Sequence, residues 1–362
     1  MNYGICADCH FHNWTLFAET SAEGINSRLQ SMIDELERLF ITTQASGGKR
    51  IYICGDTFHV RGSIKPSVMN PVVQAMIRFT DMYKIQARII PGNHDLEGVE
   101  VTFAGSSVVP LQHSTNDDEP EINVIHYPTF FEDDMTAVIP WQNTREGLRR
   151  VIEEVSLEIT NDGYSLQQVD LLLHTGINGV IIGMPDHAWD AESLANFGFK
   201  RVFSGHYHQH KVFSFPKCEV VSIGSLTHQT WGDVGTIAGW IIARSDDFEQ
   251  FEANTPKFMD AMEDYEAKDY KGNYVRVRGI ELDESEIRQM KKAIEDMGAK
   301  GVVVHAVPSS KVTTRSGKSP GKAVIMEESI DTWITAEESI PKNNQKAVSK
   351  AALEILSMAR SV

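Results

Sequence analysis

Five short apolar runs in this chain each lead straight into a side chain that can bind a metal or move a proton, and nothing else constrains the fold as tightly. Residues 3–7 run into Asp8-Cys9-His10, and residues 50–54 into Gly55-Asp56-Thr57-Phe58-His59. Residues 87–90 precede Gly92-Asn93-His94-Asp95, residues 169–173 precede His174, and residues 201–203 precede Gly205-His206-Tyr207-His208. Runs this short and this continuously apolar read as strands buried on both faces. Helical patterns lie between them: Ile25, Leu29, Ile33, Leu36 and Phe40 step at helical spacing, residues 66–83 open with proline at a first helical position, and residues 144–160 repeat the pattern. Strands alternating with helices define a layered α/β fold. Ligands of open α/β sheets gather outside the carboxyl ends of the strands, so the five loops can converge on one site.

Further runs at 122–125, 137–139, 219–223 and 236–242 have less helix among the later ones, which predicts a second, partly antiparallel sheet. The polar, acid-rich stretch 246–273 reads as a boundary. Beyond it a strand (274–280), a helix carrying Ile287, Met290, Ile294 and Met297, and a strand (301–306) form a small βαβ unit. A loop rich in Ser, Thr, Gly and Lys follows at 309–322, and the chain closes on an amphipathic helix at 344–359. The expected domains are therefore 1–250, 251–325 and 326–362.

Composition narrows the class. The 362 residues contain no run of the ~18 apolar residues that a membrane helix needs, and the first ten residues lack the basic-then-apolar order of a secretion signal. A cytoplasmic protein with no membrane partner is expected. Four cysteines are too few for a disulfide framework, and Cys6-x-x-Cys9 without a second pair reads as reduced, buried thiols rather than a zinc site. Net charge is −16, yet residues 271–362 carry net +3 and the preceding 270 carry −19. An acidic body with a mildly basic end is unlike a simple DNA-binding domain and suits an enzyme whose carboxylates hold cations.

Asp8, His10, Asp56, Asn93, His174, His206 and His208 supply carboxylate, amide and imidazole ligands without a thiolate, the mixture that suits manganese, iron or zinc. The set exceeds what one ion needs. Two ions bridged by one carboxylate, most naturally Asp56, fit it, and such a pair clamps an in-line displacement at phosphorus. Any one of these histidines could be an ordinary core or surface residue, and Asn93-His94-Asp95 alone could be a turn. Five strand ends carrying such residues together are a different matter.

In this order, D-x-H, G-D, G-N-H-D, H and G-H-x-H resemble the motifs of the calcineurin-like metallophosphoesterases. The resemblance implies a two-sheet sandwich flanked by helices, with Asp8, His10, Asp56 and His208 at one metal and Asp56, Asn93, His174 and His206 at the other. It implies His94 as the general acid, oriented by Asp95 through a hydrogen bond to the ring. Gly55 through His59, Lys65-Pro66-Ser67, the Ile139-Pro140-Trp141 element and Ile223-Gly224-Ser225-Leu226 are similar to those of SbcD-type DNA double-strand-break nucleases and phage recombination endonuclease subunits, with Ile223 in place of their usual proline. In that group a histidine like His59 assists near the scissile phosphate, and the unit at 274–306 resembles a small α+β capping domain. Further implied are two Mn2+ ions, exonuclease and endonuclease activity on DNA, an SMC-like ATPase partner of the SbcC type, and a homodimer. The helix at 344–359 either docks that ATPase or packs on its own domain. Lys311, Arg315, Lys318 and Lys322 are expected DNA contacts on an acid-free loop. The rival readings are a phosphodiesterase or phosphatase for small molecules or phosphoproteins, and a metal-holding scaffold without activity; the intact His94-Asp95 pair opposes the latter.

Overall fold

The computed structural model describes residues 2–114, 121–181, 188–262, 268–308, 333–334 and 342–359. The expected DNA contacts Lys311, Arg315, Lys318 and Lys322 lie outside the described residues. The chain divides into one unit of Met1–Arg278 with Lys291–Val304 and a second of Gly279–Met290 with His305–Val362.

The first unit is a two-sheet sandwich flanked by helices, the mixed α/β architecture expected. One sheet runs β12 (Phe248–Glu252), β11 (Gly239–Ala243), β1 (Tyr3–Cys6), β2 (Arg50–Cys54), β3 (Gln86–Ile90), β4 (Ile122–Val124). Strands β1 to β4 are parallel, and β11 and β12 close the edge antiparallel. The other sheet runs β5 (Thr129–Phe131), β6 (Thr136–Ile139), β7 (Asp170–His174), β8 (Arg201–Gly205), β10 (Cys218–Ser222), β9 (Lys211–Phe215). Its β6, β7, β8 and β10 are parallel, while β5 and β9 pair antiparallel at the two edges.

The continuous apolar runs have a simple cause. Successive side chains of a strand face opposite ways, and here both faces are covered. Ile51 and Ile53 of β2 pack toward α1 (Ser27–Ala45) and α2 (Pro66–Tyr83), whereas Tyr52 and Cys54 face the space between the sheets. Leu171 and Leu173 of β7 likewise pack with Leu148, Ile152, Val155 and Ile159 of α3 (Arg145–Asn161), while Leu172 joins Phe203, Val221 and Ile90 between the sheets. The helices start where capping chemistry places them. Asn26 accepts from Arg28 and Leu29 N–H, Pro66 opens α2, and Thr144 accepts from Gly147 N–H.

The short helix α4 (Ala191–Ala195) and four strands, β5, β9, β12 and β13 (Phe258–Ala261), escaped the sequence reading. Strands β5, β9 and β12 are sheet edges with half-exposed residues, so their patterns are too mixed to read as buried strands. Consequently the polar stretch 246–273, read as a boundary, holds β12 and β13. Cys6 and Cys9 are free and buried as expected, and the turn of the chain at the end of β1 brings their Sγ atoms to 3.9 Å.

After β13 come β14 (Tyr274–Leu282), α5 (Glu284–Asp296) and β15 (Gly301–Pro308), in the strand-helix-strand order read from the sequence, and then α6 (Lys342–Ala359). The order of this third sheet is β13-β14-β15, with β13 and β14 parallel. No helix among the described residues is long and apolar enough to cross a membrane.

Candidate metal centre

The end of β7 and the loops after β1, β2, β3 and β8 bring all seven expected ligands together. The β1 and β2 loops run side by side: Asp8 N–H donates to Gly55 O (3.0 Å), His10 N–H to Asp56 O (2.9 Å) and Phe11 N–H to Thr57 O (2.8 Å). Asp8, His10, Asp56 and His206 adopt positive φ, at 49°, 47°, 53° and 99°. For residues with a Cβ this costs on the order of 1–3 kcal/mol each, strain that clusters at functional sites.

Glycine at the strand ends answers to crowding. Gly55 has φ +85°, and a Cβ on it would collide with the His174 ring. A Cβ on Gly92 would strike Asp56, and one on Gly205 the Cys54 carbonyl.

The ligand atoms form two groups. Asp8, His10 and His208 make one, Asp56, His174 and His206 the other, each with ligand atoms within 4.8 Å of one another. Asp56 stands between them. Its Oδ2 is 3.6 Å from His10 Nε2 and 3.4 Å from His174 Nε2, while Oδ1 accepts from His94 N–H at 2.8 Å. Asn93 Oδ1 completes the second group, 3.2 Å from His174 Nε2 and 3.0 Å from His206 Nδ1.

Hydrogen bonds on the far side aim these groups inward. His174 Nδ1–H donates to Cys54 O (2.8 Å), which leaves Nε2 for a metal. His208 Nδ1 contacts Asp233 Oδ1 at 2.7 Å, and Asp233 Oδ2 in turn accepts from Gln229 and Thr230 N–H. This is the carboxylate–histidine arrangement that raises ligand basicity. Gln229 Nε2 donates to Asp8 O at 2.7 Å. Neither Asp233 nor Gln229 was legible beforehand: they lie in a loop with no motif of its own.

The donor set fits divalent cations on two further grounds. Asp8 Oδ1 and His10 Nδ1 are buried without a hydrogen-bond partner among the described residues, and an orphaned buried carboxylate oxygen is costly unless a cation meets it. Burial, with the Asp56 charge adding to it, pushes Asp8 up to about 6 against the pull of His174. Burial disfavours charge on His174 too, but the Asp56 carboxylate outweighs it and lifts His174 to about 9, while the His174 charge holds Asp56 well below the usual carboxylate range. Burial lowers His10 and His206 to about 3, so both present neutral imidazoles.

The two catalytic expectations for His94 and Asp95 part ways. Asp95 does not reach the His94 ring. Buried, it accepts backbone N–H from Thr57 (3.1 Å), Phe58 (3.0 Å) and Gly92 (2.9 Å), pinning the β2 and β3 loops to each other. Burial and the Asp56 charge push it up to about 7 against the pull of those three donors. The His94 ring is held instead by the His59 carbonyl, 2.7 Å from Nδ1. A backbone oxygen took the role expected of the carboxylate because the β2 loop passes closer to the ring. His94 and His59 rings stack at 5.7 Å, and His10 meets His94 edge-on at 4.8 Å. Burial, with His12 and other histidines adding to it, lowers His59 to about 4.

Residues 1–210 match the family model of the calcineurin-like phosphoesterases. The chain belongs to this family of metal-dependent phosphoester hydrolases, whose members carry a dimetal centre. No curated protein matches it in sequence. Similar solved structures include a dimetal phosphatase from Danio rerio (8% identity, 70% of this chain and 96% of that one, TM-score 0.46). A Thermus thermophilus protein (12%, 70% and 99%, 0.40) and an archaeal phosphodiesterase (10%, 70% and 99%, 0.35) are also similar.

Proposed function

We propose that this chain is a manganese-dependent DNA nuclease with exonuclease and endonuclease activity, the nuclease subunit of an SbcCD-type repair or recombination complex. The observation that carries the reading is His59 lying against His94 beside the two ligand groups, where a phosphodiester clamped between them would place its leaving oxygen. The likeness of Gly55 through His59 and of Ile139-Pro140-Trp141 to SbcD-type enzymes supports DNA as that diester. The expected partners are DNA, an SMC-like ATPase and a second copy of the chain.

When bound, the two ions supply positive charge at the phosphate and an acidified water. The protein does the rest. Asp56 spans both positions, Asp8 supplies an oxygen to the first group and Asn93 to the second, and Asp233 orients His208. His94 keeps its Nδ1–H on the His59 carbonyl, which fixes the ring, and a proton on its Nε2 passes to the departing oxygen. His59, uncharged and adjacent, packs against that ring.

The test is digestion of end-labelled duplex DNA with Mn2+, run beside an aryl phosphodiester and a His94→Ala control. Cleavage of both substrates by the wild type alone upholds the nuclease reading. Cleavage of the small diester alone shifts it to a phosphodiesterase or phosphatase.

A further inference from the structure

One motif, Ile139-Pro140-Trp141, has no part in the chemistry just derived, yet Trp141 stands against it. Its ring is 5.9 Å from the His174 ring and 5.5 Å from that of His206, and its backbone N–H donates to Pro91 O at 3.1 Å. Tyr207 flanks His206 as well, at 5.2 Å and 31°. Beside them opens a cavity of about 170 Å³, bounded by residues 141–145 at the start of α3, by Thr175 and Gly176, by Trp189, and by His206 and Tyr207.

We propose that this cavity is a nucleoside subsite, taking the base next to the scissile phosphate against Trp141 and Tyr207, with Arg145 on the neighbouring phosphate. The inference rests on the phosphodiesterase reading and deepens it by naming the substrate unit.

Three properties of the lining point to that chemistry. Its size suits one planar group rather than a drug-sized ligand, which needs ~300 Å³ or more. Aromatic faces are the sequence-tolerant platform for bases, and the Gln142 and Asn143 amides supply donors and acceptors for a base edge. Arg145 is exposed at the rim, with its guanidinium 5.7 Å from the Trp189 ring and no carboxylate partner among the described residues. Trp189 itself is 2% exposed, and its indole Nε1, a donor only, has no acceptor among the described residues. A cation with no carboxylate partner among the described residues and two aromatic side chains in the lining suit a ligand that is aromatic and anionic. Because His206 lines the cavity and also belongs to the ligand set, an occupant adjoins the reacting phosphate.

The experiment uses the full chain loaded with Mn2+, with thymidine 3′,5′-bisphosphate, which carries both the reacting and the neighbouring phosphate, and inorganic phosphate as competing inhibitors of aryl phosphodiester hydrolysis. Thymidine 3′,5′-bisphosphate should inhibit at least tenfold more tightly than phosphate, since one base on an aromatic platform contributes about that factor. It should also quench tryptophan emission. Arg145→Gln and Trp141→Leu should narrow that ratio several-fold, and Trp141→Leu should remove most of the quench; metal content is measured for each, and Arg145→Gln carries the conclusion if Trp141→Leu loses ions. Equal inhibition by nucleotide and phosphate in the wild type, or an unchanged ratio in Arg145→Gln, overturns the subsite. If DNA is cut but the nucleotide has no advantage, the subsite fails and the nuclease stands. If DNA is not cut but the advantage holds, the nuclease fails and the subsite stands.

Discussion

Replacing Gly92 by alanine tests whether Asp56 is held in place by contact alone. Gly92 has φ −92° and ψ −177°, an extended conformation that alanine adopts without strain. The whole effect is therefore steric. An added Cβ would fall inside the contact radius of Asp56 N and Oδ1, and would lie 3.0 Å from Asp56 Cγ. Carbon atoms pack at ~3.5–4.0 Å, so Asp56 must retreat by about 0.5–1 Å. Metal sites tolerate only ~0.2 Å in ligand distance, and Asp56 serves both ligand groups. Folding should lose about 1–3 kcal/mol, the usual cost of overpacking, and Mn2+ affinity should fall at least ~10–100-fold, as when a ligand's support is lost. Linkage gives a clean readout. At a concentration 100 times Kd, one bound ion stabilises the wild type by ~2.7 kcal/mol; a 100-fold weaker site leaves ~0.4 kcal/mol. Calorimetric titration and thermal melts with and without Mn2+ measure both. A Gly92→Ala protein that binds two ions at wild-type affinity and melts with the wild-type Mn2+ shift would refute the reasoning.

The remaining expectations follow from the same geometry. Asp233→Ala removes the carboxylate behind His208, so Mn2+ affinity at one position should fall ~10–100-fold, seen as one weakened isotherm of two. His94→Ala should keep both ions yet lose ~10²–10⁴-fold in turnover, whereas Asp56→Ala should lose metal as well; equal metal loss in both variants would contradict the separation of roles. The metal-free protein should lose stability as pH rises from the unfolded histidine value near ~6.5 to about 9, the folded value of His174. The sign follows because a raised histidine pKa stabilises only while the ring is protonated. Metal must displace the same Nε2 proton, so Mn2+ affinity should climb across that window, with proton release measurable by titration in buffers of different ionisation enthalpy.

Much of the sandwich, and the strand ends that bring the seven expected ligands together, could be read without coordinates, for one physical reason. Strands buried on both faces are apolar at every position, so β1, β2, β3, β7 and β8 stand out, and the polar residue ending each run marks where the chain leaves the core. Edge strands β5, β9 and β12 carry no such signal because one side meets solvent. The supporting chemistry was invisible for a different reason. Asp233 and Gln229 are more than 200 residues from Asp8 in the chain, and only the packing of the two sheets brings their loop beneath Asp8 and His208. Side-chain identity likewise left open which acceptor would hold the His94 ring. Asp95 was the obvious neighbour in sequence, but the fold spends it on three backbone N–H groups and offers the His59 carbonyl instead. The positions of the expected ligands were thus local, written at strand ends by the boundary between core and loop. Ring orientation was decided by the tertiary structure, since Cys54 behind His174, Asp233 behind His208 and His59 behind His94 come from other strands and loops.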